Sequence, residues 1–290
     1  MPPARAINAQ PVTLTAGGVR LAGERIAEVG AGSRGILFTH GAGQTRGAWG
    51  LTARRFAALG WDTLAVDARG HGGSGRNPPG VAYTTEQLVT DLQGWAAMFA
   101  TRPVLVGASM GGLTGLVAQA RHDCFSALVL VDVTPRWQPE GVGRILGFMR
   151  AHADGFTHID EAADAIAAYM PHRPRKSAQA LAALLERDAD GRWRWHWDPR
   201  IVEDLSLALE QRQHELVEAA RQIRVPTLLV TGSASDVVSD DTVAEFLALV
   251  PHAQHRQIAN ARHLIAGDDN DAFASAVFDF LDSSALRPAA

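Results

Sequence analysis

Short apolar runs alternate with longer amphipathic stretches along most of the chain. The apolar runs lie at residues 36–39, 63–66, 103–106, 127–133 and 225–231. Parallel strands covered on both faces are apolar throughout, so these runs predict buried strands. Helical patterns follow at residues 48–59, 85–99, 113–121, 240–249 and 271–281, and a further strand is predicted at 253–258. This alternation predicts an α/β fold, in which a mostly parallel central sheet carries helices on both faces.

Two segments depart from this alternation. Residues 12–29 hold two strand-like runs around Gly17-Gly18, which predicts an antiparallel hairpin. From residue 134 to about 224 there is no buried-strand pattern, and helical patterns lie near 141–152, 160–170, 177–187 and 201–221. An insertion between two sheet strands should lie over their carboxyl ends, where ligands bind in open α/β sheets. We therefore predict a core domain of residues 1–133 and 225–290, and a helical cap of residues 134–224.

Composition narrows the classes of partner and compartment. The chain has 290 residues and a net charge of −4, so it offers no basic field for nucleic acid and no polybasic patch for a membrane surface. No secretory signal is visible, and no apolar stretch reaches the roughly 20 residues of a membrane span. The single cysteine cannot form an internal disulfide, which favours a cytoplasmic protein. The oligomeric state stays open.

The segment Gly107-Ala108-Ser109-Met110-Gly111 lies between a predicted strand and a predicted helix. A serine in a Gly-x-Ser-x-Gly turn of this kind has its hydroxyl raised above the edge of the sheet. The start of the following helix directs free N–H groups and a partial positive charge towards the same place. Ser109 is therefore the candidate nucleophile.

A serine hydroxyl needs a base within hydrogen-bonding distance, and the base needs an acid that orients its ring. Ser109, Asp236 and His263 each follow a predicted strand, and such loops gather at one edge of a parallel sheet. We predict His263 as the base and Asp236 as the acid. Asp132 also ends a strand and is the competing acid. His71 is a second candidate base, although a hydrogen bond that fixes its loop is the favoured interpretation.

The turn His40-Gly41-Ala42-Gly43 follows the strand at residues 36–39 and could hold the phosphates of a dinucleotide. Its spacing, Gly41-x-Gly43-x-x-x-Gly47, is one residue too long for the dinucleotide fingerprint. The alternative is that the Ala42 N–H points to the space above Ser109 and forms an oxyanion hole with the Met110 N–H. We therefore predict no cofactor. No set of ligand residues has metal spacing, so no metal is predicted either.

These pieces resemble the α/β-hydrolase superfamily over essentially the whole chain. The matching parts are His40-Gly41, the loop from Asp67 to Ser74, the Ser109 turn, the cap insertion, Asp236 and His263. The resemblance implies acyl transfer in two steps, through an acyl-enzyme on Ser109. A serine at this position argues against the dehalogenase and epoxide hydrolase branches, which use an aspartate. The expected substrate is a small-molecule carboxylic ester or lactone.

The substrate pocket should lie between Ser109 and the cap. Candidate lining residues are Phe148, Met149, Tyr169, Trp195 and Trp197. The tryptophans at 193, 195 and 197 alternate with polar residues, which predicts an extended segment with one aromatic face. The favoured interpretation of that face is the core of the cap itself. Two other functions remain open: a carbon–carbon bond hydrolase of the meta-cleavage type, with a carboxylate bound by Arg144, Arg150 or Arg173, and a ligand-binding receptor on the same fold.

Overall fold

The fold is described by a computed structural model that covers residues 7–28, 34–181, 184–206, 209–268 and 270–284. The two ends of the predicted core domain, residues 1–6 and 285–290, lie outside the described residues. The strands are β1 (Ile7–Ala16), β2 (Val19–Glu28), β3 (Gly35–Thr39), β4 (Asp62–Val66), β5 (Val104–Ala108), β6 (Ala127–Val131), β7 (Leu185–Arg187), β8 (Trp193–Trp195), β9 (Thr227–Gly232) and β10 (Gln254–Ile258). The helices are α1 (Gly50–Ala57), α2 (Thr85–Ala96), α3 (Met110–His122), α4 (Pro139–Arg150), α5 (Ile159–Tyr169), α6 (Ala178–Leu181), α7 (Arg200–Ser206), α8 (Leu209–Arg221), α9 (Asp240–Leu249), α10 (Ile265–Asp268) and α11 (Asn270–Ser283), and a 3₁₀ helix spans Arg46–Trp49.

Eight strands form one sheet in the order β1-β2-β4-β3-β5-β6-β9-β10. β1 and β2 are the predicted antiparallel hairpin, and β2 pairs antiparallel with β4. All other neighbours are parallel, so the mostly parallel sheet is confirmed. The carboxyl ends of β3, β4, β5, β6, β9 and β10 therefore meet at one edge, and the loops that follow them carry the candidate site.

Helices cover both faces of this sheet, as predicted. Successive residues of a strand point to opposite faces: in β5, Leu105 packs into the cluster under α2, α3, α8 and α9, and Val106 packs into the cluster under α1 and α11. The buried strands read as continuous apolar runs because both of their faces are covered. None of the helices in the described ranges is long and apolar enough to cross a membrane.

A third apolar cluster lies outside the two faces of the sheet. It joins α4, α5 and the β7-β8 hairpin to Met110 and Tyr83 of the core, through residues such as Leu146, Ile166 and Trp195. α8 does not belong to it, because Leu216 packs with the sheet-side cluster of α3. The division into core and cap stays a prediction, and we propose that the cap ends before α8 and not at residue 224.

The sequence prediction is wrong for part of the cap. A helix was expected over residues 177–187, but the structure has the short α6 followed by β7, which pairs antiparallel with β8. A turn joins these strands: the Gly191 N–H donates to Asp188 O at 2.9 Å, with a φ of +80° at Gly191. Glycine adopts that angle without steric cost, so Asp188-Ala189-Asp190-Gly191 was the missed turn signal. The extended segment predicted over the three tryptophans is confirmed at Trp193–Trp195 only, because the chain bends at residues 196–197.

Candidate active site

Ser109 is the single residue between β5 and α3, and its backbone is strained. Its φ is +46° and its ψ is −118°, a conformation that residues with a side chain rarely adopt. The turn closes only because its neighbours are glycines: a Cβ on Gly107 would lie 2.7 Å from the Gly112 Cα. The predicted strand, tight turn and helix are therefore present, and Ser109 lies at the start of α3, where helix N–H groups are unsatisfied.

His263 hydrogen-bonds Asp132, which directly follows β6. The His263 Nδ1 lies 2.8 Å from Asp132 Oδ2, although 131 residues separate the two in sequence. Asp132 is fully buried and adopts a φ of +48°. A carboxylate only accepts hydrogen bonds, so Nδ1 carries the proton and Nε2 is left with its lone pair. This is the tautomer that a general base needs.

The prediction that Asp236 partners His263 is wrong. The Asp236 carboxylate forms an ion pair with Arg144 of α4, about half of whose side chain is exposed. The same guanidinium lies 5.6 Å from the centre of the Tyr169 ring. Asp236 therefore belongs to the contact between the core and α4.

The loop after β9 explains why Asp132 and not Asp236 reaches the histidine. Ser235 Oγ donates to Asp132 Oδ2 at 2.5 Å, and the Gly232 N–H donates to Asp132 Oδ1 at 3.0 Å. The loop thus binds both oxygens of the buried carboxylate with its earlier residues, and Asp236 comes after them in the chain. The sequence analysis missed this contact of Ser235 with the partner of His263.

The predicted oxyanion loop lies against Ser109. A Cβ on Gly41 would lie 3.1 Å from the Ser109 Cβ, so a larger residue would have to push the two segments slightly apart. The Gly41 N–H is held by the Gln44 side-chain oxygen at 2.8 Å. Neither the Ala42 N–H nor the Met110 N–H donates to a protein acceptor within the described part of the chain. Their pairing as an oxyanion hole stays a prediction.

Two buried histidines hold this loop and the loop after β4. His71 Nε2 accepts from the Gly43 N–H at 3.1 Å, which confirms that His71 fixes a loop. His40 Nε2 accepts from the Ala68 N–H at 2.9 Å. Burial lowers the pKa of His40 and lowers that of His71 well below its usual value. Both rings are therefore neutral at physiological pH, which leaves their Nε2 atoms able to accept.

A charged network under the site fixes the loop after β4. Both oxygens of the buried Asp67 accept hydrogen bonds from Arg46, and one also accepts from the Gly73 N–H at 2.8 Å. Arg69 and Asp91, both buried, form a bidentate ion pair at 2.7 and 2.9 Å. Removing one member of such a pair would leave an uncompensated buried charge, which is strongly destabilising. The described residues contain no group of three His, Cys, Asp or Glu side chains that could bind a metal ion.

Four of the five predicted pocket residues belong to the third apolar cluster, and Tyr169 contacts it through Phe148. Phe148 stacks on Tyr169 with ring centres 4.3 Å apart, and Trp195 stacks on Trp197 at 4.8 Å. Trp195 and Trp197 are buried, as the interpretation of that face as cap core predicted. Met149 packs against the predicted oxyanion loop, because a Cβ on Gly43 would lie 3.4 Å from its Sδ and Cε. Their role in lining a substrate pocket stays a prediction.

Buried histidines should make the fold sensitive to acid. In the cap, the pKa of His196 is lowered to about 4. Burial is the main cause, and His40 and Arg76 also lower the pKa, whereas Asp67 and the Gly43 backbone raise it. In the unfolded chain the His196 ring takes up a proton below about pH 6.5, whereas in the folded chain it stays neutral until about pH 4. The free energy of unfolding therefore decreases as the pH falls from 6.5 towards 4. Between pH 7.5 and 5.0 we expect His196 alone to lower the free energy of unfolding by ~2 kcal/mol.

Urea unfolding at the two pH values measures this effect. The parent should lose stability on acidification, and His196→Asn, which keeps a side-chain acceptor but cannot titrate, should lose ~2 kcal/mol less. An identical loss in both proteins would contradict the assignment.

The chain belongs to the alpha/beta hydrolase family, whose model matches residues 36–276. It is 30% identical to the N-formylmaleamate deformylase of Pseudomonas putida over 81% of this chain and 83% of that protein. It is 29% identical to an esterase of Mycobacterium tuberculosis over 86% of this chain and 83% of that protein. The crystal structure of E-2-(acetamidomethylene)succinate hydrolase has the same fold, with a TM-score of 0.81 at 22% identity over 95% of this chain and all of that one. These relatives are hydrolases, which supports a hydrolytic activity for this chain.

Proposed function

We propose that this protein is a serine hydrolase that cleaves a small carboxylic ester through an acyl-enzyme on Ser109. The observation that carries the proposal is the hydrogen bond between His263 and the buried Asp132, on the same sheet edge as the strained Ser109 turn. A nucleophile, a base and an acid that orients the base are the three groups that this chemistry requires.

In the first step, Ser109 Oγ attacks the ester carbonyl, and His263 Nε2 takes the hydroxyl proton. Asp132 stabilises the resulting imidazolium without taking its proton. The carbonyl π electrons move to oxygen, and the Ala42 and Met110 N–H groups stabilise that charge, an effect worth about 2.7–4 kcal/mol per donor in other enzymes. When the tetrahedral intermediate collapses, the C–O bond to the alcohol breaks, and His263 protonates the departing oxygen.

In the second step, His263 takes a proton from water as the water attacks the acyl carbon. The second tetrahedral intermediate releases Ser109 Oγ, which regains its proton from His263, and the carboxylic acid departs. No group beyond those of the chain and water is needed. The cap supplies the apolar surroundings, since Met149 lies against the oxyanion loop and the Phe148–Tyr169 pair extends the same cluster.

The test is hydrolysis of p-nitrophenyl esters of increasing acyl length, together with labelling of the protein by a fluorophosphonate. We expect turnover of short acyl esters and stoichiometric labelling at Ser109. Labelling without ester turnover would contradict the ester substrate and favour amide or carbon–carbon bond cleavage by the same groups. A protein that neither turns over esters nor labels would contradict the mechanism, and a ligand-binding receptor would then be the better account.

A further inference from the structure

His196 comes from the cap, yet it is buried against the loops of the core. It directly follows β8 and is 3% exposed. Its Nδ1 accepts a hydrogen bond from the Gly72 N–H at 3.0 Å, across 124 residues of sequence. An Nδ1 that accepts is unprotonated, so in the neutral ring the proton is on Nε2. This Nε2 is buried and makes no hydrogen bond of regular geometry among the described residues, although the Gly43 backbone lies beside the ring.

His196 is the outer member of a row of three buried histidines. Its ring centre lies 6.1 Å from that of His71, which lies 5.1 Å from that of His40. Each ring accepts one backbone N–H, from Gly72, Gly43 and Ala68 respectively. The row therefore joins the cap, the loop after β4 and the oxyanion loop.

The links in this row lead to the predicted oxyanion donor. Gly72, which His196 holds, is the neighbour of His71 in the chain, and His71 holds the Gly43 N–H. Gly43 in turn is the neighbour of Ala42. Both glycines have positive φ angles, +51° at Gly72 and +73° at Gly43, which glycine adopts without steric cost.

We propose that His196 of the cap is a positioning residue that fixes the oxyanion loop through Gly72 and His71. While His196 accepts from the Gly72 N–H, the adjacent His71 ring stays in position to accept from the Gly43 N–H. The Ala42 N–H, next to Gly43 in the chain, then keeps its direction. Without His196, the partly buried Gly72 N–H loses its acceptor, and the loop after β4 relaxes. The proposal deepens the proposed function, because its catalytic consequence depends on the role of Ala42 in binding the oxyanion.

The test compares three variants. His196→Phe keeps a ring of similar size but removes the acceptor, and His196→Asn restores an acceptor near the position of Nδ1. The control is Tyr83→Phe, which removes a different buried contact between core and cap. The Tyr83 hydroxyl donates to Asp198 Oδ2 at 2.8 Å and accepts from the Asn77 N–H at 3.1 Å, and the variant loses both hydrogen bonds. If His196→Phe does not fold, His196→Ala replaces it.

The first measurement is amide hydrogen exchange in peptides that cover residues 40–46 and 70–75. We expect exchange at least about tenfold faster in both peptides for His196→Phe, and rates close to the parent for His196→Asn and Tyr83→Phe. This readout does not depend on activity, so it decides the structural link even if the proposed function fails. Unchanged exchange in His196→Phe, or an equal increase in Tyr83→Phe, would overturn the proposal.

The second measurement is ester hydrolysis. For His196→Phe we expect kcat to fall on the order of 10- to 100-fold with KM nearly unchanged, since a misdirected oxyanion donor affects the transition state and not substrate binding. Affinity for a boronic acid analogue of the tetrahedral intermediate should fall in parallel. His196→Asn should recover most of the rate. A rise in KM at constant kcat would overturn the positioning role while leaving the proposed function intact.

Discussion

Replacing Ser109 or His263 by alanine should lower kcat for a p-nitrophenyl ester about 10⁶-fold. Ser109→Ala removes the nucleophile, and His263→Ala removes the base, so either change leaves only what the oxyanion hole and substrate binding can contribute. The two losses should not add in the double variant, because the residues act as one unit. Initial rates measured at high enzyme concentration give kcat for the single and double variants, and fluorophosphonate labelling shows whether Ser109 can still react.

Matched controls come from the opposite end of the sheet. Ser126 precedes β6 and His252 precedes β10, so both lie at the amino ends of strands, away from the site. Ser126→Ala and His252→Ala should retain the parent rate within about twofold. A Ser109→Ala protein that is folded and still turns over the ester at more than about one-thousandth of the parent rate would contradict the acyl-enzyme.

The second large effect separates the two candidate acids. Asp132→Asn should lower kcat about 10⁴-fold, because an amide that accepts less well and can donate favours the wrong tautomer of His263. Asp236→Asn should lower kcat by less than about threefold, since it weakens only the partly exposed ion pair with Arg144. The two substitutions are the same chemical change in neighbouring loops, so each is the control for the other.

A measurement of the fold of both variants completes this test. Asp132→Asn should have a circular dichroism spectrum like that of the parent, since the side-chain volume is kept. Comparable rates for the two variants, or a larger loss for Asp236→Asn, would mean that the His263–Asp132 hydrogen bond is not the catalytic pair.

The choice between these two acids illustrates what the sequence could not decide. Both carboxylates follow apolar strands that end at the same edge, so strand order and spacing leave them equivalent. The difference depends on Ser235 and Gly232, which donate hydrogen bonds to Asp132 from the end of the neighbouring strand β9 and the loop after it. Such contacts join residues about 100 positions apart and depend on how the loop bends. The periodicity of the sequence does not predict them.

Local patterns were sufficient where the physical cause is local. The apolar runs predicted the buried strands, and the glycines around Ser109 predicted the tight turn that a Cβ would block. The cap was harder to predict, because its hairpin depends on a four-residue turn at Asp188–Gly191 between short strands. The role proposed for His196 was invisible in sequence, since it depends on the packing of a cap residue against two core loops.

The most direct test of the account is the mass of the protein during turnover. A p-nitrophenyl ester is mixed with the enzyme, the reaction is stopped in acid within milliseconds, and peptides are analysed by mass spectrometry. We predict that the acyl group is found on the peptide that contains Ser109, at up to one equivalent, and that none is found in Ser109→Ala. Ester turnover with no acyl group on Ser109, or with the acyl group on another residue, would contradict the account.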